Sequence, residues 1–137
     1  MDLDLKLARS QDNNNPVYYA QYAHSRMCSI LSNPKMPAFH REESYGRLTD
    51  EKELQLLKMI GEFPNTVGEC AALRKPNKLT DYIISLVKVF HSYYNSTKVY
   101  NAEDPELTNQ RLGLVQAVRI TLKNALALVG VSAPESM

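Results

Sequence analysis

The chain has 137 residues, and its 16 lysines and arginines nearly balance 15 aspartates and glutamates, leaving a formal charge of +1. That length suits one domain able to bury a core without staples, and 44% hydrophobic against 23% charged residues excludes a wholly disordered chain. No apolar run approaches the roughly 20 residues of a membrane helix, the acidic start (Asp2, Asp4) is unlike a secretion signal, and the small net charge argues against binding nucleic acid through bulk positive charge.

The first helix signal is Asn13-Asn14-Asn15-Pro16, an asparagine cap followed by proline at the first helical position. Beyond it Ala20, Ala23, Met27, Ile30 and Leu31 recur at the spacing of one buried helical face. From Ser32 to Leu48 the pattern breaks: Pro34, Pro37, Gly46 and the HREES run predict a solvated, partly mobile loop. Thr49-Asp50 opens a second helix, with Asp50 and Glu53 at capping-box spacing and Leu54, Leu57 and Ile60 set to face the core. Phe63-Pro64 predicts its end, and Pro64 the start of a short third helix using Val67, Cys70, Ala71 and Leu73.

Pro76 separates that helix from a fourth, in which Leu79, Ile83, Leu86, Phe90 and Tyr94 recur every three or four residues. Asp104-Pro105 opens the last and longest helix, whose face is Leu107, Arg111, Leu114, Val118, Leu122, Ala125 and Val129, with Gly130 as a natural terminator. No stretch alternates long enough for a strand, and neither a repeat nor a sustained heptad is present. The expectation is an all-α bundle of about five helices.

Chemistry-bearing motifs are scarce. With five glycines, the chain holds no phosphate-binding G-x-x-x-x-G-K-[ST] or G-x-G-x-x-G string, no C-x-x-C, no H-E-x-x-H and no G-x-S-x-G. His24, His40 and His91 are far apart, and no catalytic residue or metal set is visible. Cys28 and Cys70 make neither a disulfide framework nor a zinc site; they read as small buried hydrophobes in a reducing cytoplasm.

One constellation stands out. On the first helix a second stripe, Tyr19, Tyr22, Arg26 and Ser29, runs beside the apolar one at spacings of three, four and three. Such spacing sets two phenols one turn apart with a guanidinium a turn further on. Phenol and guanidinium planes are surfaces on which unstacked bases lie, and arginine also meets phosphate. From spacing alone, half-buried packing tyrosines are the commoner reading. Tyr93-Tyr94, late in the fourth helix, is a similar pair. Arg119, one residue past Val118, reads most simply as a solvated arginine with a packed stem, and His24 as a hydrogen-bonded structural residue.

The strings themselves carry more than the spacing. NPVYYAQYAHSRMCSIL closely resembles the start of the C-terminal anticodon-binding (DALR-type) domain of arginyl-tRNA synthetases, where a Tyr-x-Gln-Tyr-Ala-His-[Ala/Ser]-Arg pattern recurs. In the same order, FPNTVGECAALRKPNKLTDYIISLVKVFHSYYNSTKV is similar to that family's middle helices, and RLGLVQAVRITLKNALALVGVSAPESM to its last helix and Ala-Pro-Glu-x-Met ending. The resemblance runs from about Asp2 to Met137.

The resemblance implies that Tyr19, Tyr22, Tyr94 and Met137 approach the anticodon loop of an arginine tRNA; Arg26 joins them from its place on the stripe. Tyr18 and Tyr93 are the alternatives to Tyr19 and Tyr94, since each adjoins its partner. Ser136 stands where the family commonly has a basic residue, which weakens any phosphate contact there. The His-x-Gly-His and Lys-Met-Ser-Lys strings of a catalytic domain are absent, so residues 1–137 read as one monomeric anticodon-binding domain from a longer, cytoplasmic enzyme. This segment then needs no cofactor, while ATP and magnesium belong to the catalytic domain. Two other readings remain: the equivalent domain of a cysteinyl or glycyl synthetase, and a helical protein-interaction module with no RNA role.

Overall fold

The structure, a computed structural model, describes residues 15–137, so the acidic start and Asn13-Asn14 lie outside the described residues. The described residues form four helices and no strand: α1 (Pro16–Ser32), α2 (Glu51–Leu73), α3 (Asn77–Ser96) and α4 (Pro105–Leu128). The all-α class is as expected; the count is four because two predicted helices are one.

Each helix starts on the residues that the sequence marks. Asn15 Oδ1 accepts from the Val17 N–H at 3.0 Å, and Pro16 takes the first helical position. Asp50 Oδ1 accepts from the Lys52 N–H at 2.9 Å while Glu53 Oε1 accepts from the Asp50 N–H at 3.1 Å, so the capping box is formed. Asp104 Oδ1 accepts from the Leu107 N–H at 3.2 Å ahead of α4.

Two expectations for α2 are corrected. Pro64 neither ends nor starts a helix but lies exposed inside α2. Its missing N–H weakens one turn, yet α3 clasps that turn: the Tyr82 hydroxyl donates to the Met59 carbonyl at 2.6 Å, and its ring lies 5.6 Å from that of Phe63. The face is also rotated. Leu54 and Leu57 are exposed, whereas Glu53 and Leu56 are fully buried. Counting only apolar residues misplaces the stripe, because the capping Glu53 turns inward and carries Leu56, one turn later, into the core. Further along α2, Leu73 is exposed, and Val67, Cys70 and Ala71 line an open apolar groove of about 580 Å³ with α1 and α3.

α4 is the central element. Leu114, Val118, Leu122 and Ala125 are buried on the expected face, and Leu112, Val115, Thr121 and Leu126 are buried as well. Its buried amides hold the long loop that follows α1, which the sequence predicts to be partly mobile. Asn109 pairs with His40 through both backbone groups (3.0 and 2.8 Å), Gln110 accepts from the Arg47 N–H at 2.9 Å, and Arg47 forms ion pairs with Asp104 and Glu106. Gly113 lets this loop approach, since a Cβ there would lie 2.7 Å from a Phe39 ring carbon and 2.9 Å from one of Tyr45.

α4 ends as its terminal glycine predicts. Gly130 has φ of +78°, the Val131 N–H reaches back to the Leu126 carbonyl at 2.9 Å, and the Gly130 N–H to that of Ala127 at 3.0 Å. The reversal sends the last residues along α1.

Candidate nucleic-acid interface

Ala20, Ala23, Met27 and Ile30 anchor α1 in the core, which turns the Tyr19–Tyr22–Arg26–Ser29 stripe outward. α3 flanks the stripe on one side. The Arg26 guanidinium lies over the Tyr94 ring, with Cζ 5.1 Å from the ring centroid, and Tyr94 is backed by a stacked Phe90 at 6.0 Å and 16°. Arg26 Nη1 also lies 3.4 Å from His91 Nδ1, and the His91 ring sits 5.3 Å from that of Tyr19. Tyr19 and Tyr94 are half-buried, while Tyr22 keeps 46% of its surface in solvent.

The chain end flanks the stripe on the other side. Gln21 Nε2 donates to the Ser132 carbonyl at 3.0 Å, the Ser25 hydroxyl donates to the Pro134 carbonyl at 2.8 Å, and His24 Nδ1 lies 3.0 Å from the same carbonyl oxygen. A carbonyl only accepts, so the His24 proton sits on Nδ1. His24 is thus the structural residue expected of it. Glu135 and Ser136 continue to an open hollow shared with Cys28, Ser29 and Ser32 of α1 and with Gln116 and Arg119 of α4. There Arg119 Nε donates to Gln116 Oε1 at 3.3 Å with its side chain half in water.

The structure therefore brings Tyr19, Arg26 and Tyr94 into one contiguous surface, with Tyr22 on the same helical face. Met137 follows Ser136 at the far rim, 56% exposed, without a ring contact or hydrogen bond to the other four. Tyr93 and Tyr94 part company completely. Tyr93 is fully buried, and its hydroxyl donates to Glu53 Oε2 at 2.6 Å, which leaves Tyr94 as the member on this face. Tyr18 and Tyr19 are both half-buried, but Tyr19 is the one in contact with His91.

His91 is the residue that sequence reasoning missed. The signal was available, because position 91 precedes Tyr94 by one helical turn and so shares its face. Burial, and then the Arg26 charge, hold the His91 pKa below its usual 6.5, so the ring is neutral at neutral pH. The surface consequently offers phenol faces and one guanidinium clamped on a ring, with no second positive charge from His91. That inventory suits stacking of unpaired bases better than tracking of a phosphate backbone.

Residues 20–137 match the family model described as the DALR anticodon binding domain. The chain belongs to that family. The DALR chain is 48% identical over 139 residues to an arginine–tRNA ligase of Oceanobacillus iheyensis and 50% identical to that of Anoxybacillus flavithermus, in each case over 100% of this chain and 25% of the relative. Among solved structures it matches the arginyl-tRNA synthetase of Thermus thermophilus with a TM-score of 0.79 and 31% identity, covering 100% of this chain and 24% of that one. The DALR chain thus spans about a quarter of the length of the proteins it matches, and none of its described helices is long and apolar enough to cross a membrane.

Proposed function

We propose that this chain is the anticodon-binding part of an arginyl-tRNA synthetase, and that it receives the anticodon loop of arginine tRNA on Tyr19, Tyr22, Arg26 and Tyr94 with Met137 at the rim. The observation that carries the reading is the clamp of Arg26 on Tyr94 beside Tyr19 and the open Tyr22, in a chain of the DALR family. The relatives reported above, all arginine–tRNA ligases, favour arginine over a cysteinyl or glycyl enzyme.

Arginine codons share a middle G, so every arginine anticodon shares a middle C. A surface that draws this one base from the stack and tests its edge serves all of them. Aromatic stacking supplies affinity that tolerates any base, and hydrogen bonds to the base edge supply choice. Near-neutral charge fits this division, with phosphate contacts left to the rest of the enzyme. Joining arginine to its tRNA, with ATP and magnesium, belongs to the catalytic part of the enzyme.

The test is a titration of the chain with an arginine anticodon stem-loop and its middle-base variants. Tyr22→Ala is expected to weaken binding by roughly 1–3 kcal/mol, the worth of one base–aromatic stack, with its melting temperature unchanged. Deleting Met137 is expected to weaken binding without unfolding, since it stands exposed. Binding should also weaken with added salt, which a greasy protein-docking groove would resist. Tyr19, Tyr22, Tyr94 and Met137 variants that bind like the parent, together with a freely replaceable middle C, would overturn the proposal.

A further inference from the structure

We infer that His91 is a positioning residue for this surface: its Nδ1 accepts a hydrogen bond from Arg26 and so fixes the guanidinium on the Tyr94 ring before any RNA arrives. The inference rests on the proposed RNA-binding role of that face. It starts from a constraint on protons. A guanidinium has donors only, so the 3.4 Å approach of Arg26 Nη1 to His91 Nδ1 requires Nδ1 to be the bare nitrogen. The ring proton then sits on Nε2, which is buried and has no hydrogen-bond partner among the described residues.

A buried donor without a partner is unfavourable. A phenyl ring in the same place would meet Tyr19 and Phe90 equally well and leave nothing unsatisfied. What histidine adds over phenylalanine is therefore its acceptor at Nδ1, and the group that uses the acceptor is Arg26. The depressed His91 pKa keeps that acceptor free at neutral pH. Arg26 is thus held from two directions, by the Tyr94 face and by the His91 lone pair. A free arginine would lose side-chain freedom on binding RNA; this one is already fixed, which lowers the cost of forming the complex.

Two substitutions at position 91 separate the acceptor from the packing. His91→Phe keeps a ring against Tyr19 and removes the acceptor, whereas His91→Asn loses the ring and places an amide oxygen near the site of Nδ1. The first readout needs no RNA. In the ¹⁵N spectrum of the 137-residue chain, the Arg26 Nε–H signal (assigned by its loss in Arg26→Lys) should carry a ring-current shift from Tyr94. We expect it to collapse to an unstructured value in His91→Phe and to persist in His91→Asn.

The second readout is affinity for the arginine anticodon stem-loop. His91→Phe is expected to lower it about tenfold and His91→Asn by no more than about threefold, the scale of one hydrogen bond to a charged group. Combined with Arg26→Ala, His91→Phe should add no further loss. The reverse order, with phenylalanine binding like the parent and asparagine weak, would mean that His91 only packs and would overturn the inference. So would an Arg26 signal that stays in place in His91→Phe. If the parent chain fails to bind the stem-loop at all, the RNA-binding proposal falls, while the Arg26 signal still decides the role of His91.

Discussion

Glu53 is completely enclosed, and each of its oxygens is used. Oε1 caps α2, while Oε2 accepts from the Tyr93 hydroxyl at 2.6 Å and from Arg111 Nε at 2.8 Å. Arg111→Ala leaves that buried carboxylate without its countercharge, and urea unfolding should show a loss of roughly 3–5 kcal/mol. Tyr93→Phe removes only one donor and should cost about 1–2 kcal/mol. Tyr82 offers a test by pH. Burial first, and then the Glu62 charge, push its phenol from 10.0 up to about 12. The unfolded chain releases this proton earlier than the folded one, so stability falls as pH rises from 10.0 through about 12. Following phenolate absorbance at 295 nm, the step near about 12 should vanish in Tyr82→Phe. At this scale the sequence is legible only in part. Tyr93 and Tyr94 satisfy any pattern of spacing equally well, and what tells them apart is a carboxylate 40 residues away.

α2 shows what a local rule misses at the scale of an element. Proline is a sound helix boundary when only the chain is considered, but the grip of Tyr82 on the turn before Pro64 outweighs that preference. Pro64→Ala restores one backbone donor at an exposed position and should raise stability by roughly 1–3 kcal/mol in the same urea assay. An unchanged or lower midpoint would mean that the ring itself packs. Gly113 on α4 points the other way. Gly113→Ala drives a methyl group into Phe39 and Tyr45, so the loop after α1 should lift, with a loss of about 1–3 kcal/mol and faster amide exchange over residues 39–48. Helix starts and the Gly130 stop were legible because caps are local chemistry. The order of the loop was not, because it hangs on Asn109 and Gln110, whose inward orientation depends on how α4 packs.

For the whole molecule, α4 is the post around which the other three helices assemble, and that explains the difference expected between core and surface substitutions. Val118 has no exposed surface, so Val118→Asp should abolish the cooperative melting transition, at a cost of several kcal/mol for one buried, unpaired charge. Tyr19→Ala, which trims a half-buried ring, should keep a cooperative transition at a somewhat lower temperature. Calorimetry of both checks the assignment of one side chain to the core and the other to the interface. Fold class and family were readable from capped amphipathic segments and collinear strings. The central place of α4 was not, because a helix buried on several sides presents polar residues such as Thr108 and Thr121 inside, and these carry no apolar period.

The seam between the chain end and α1 also has a kinetic meaning. Its hydrogen bonds join residues 109 to 111 positions apart, so forming them closes nearly the longest loop the described chain allows. Loop closure of that length is entropically costly until the intervening helices are already in place. The tail from Ser132 to Met137 is therefore expected to dock late in folding and to leave early in unfolding, which native-state amide exchange along residues 131–137 would show as lower protection than in α3. On that expectation one rim of the proposed anticodon surface opens without the rest, whereas the rim built by Tyr94 and His91, set on α3, opens only with the bundle.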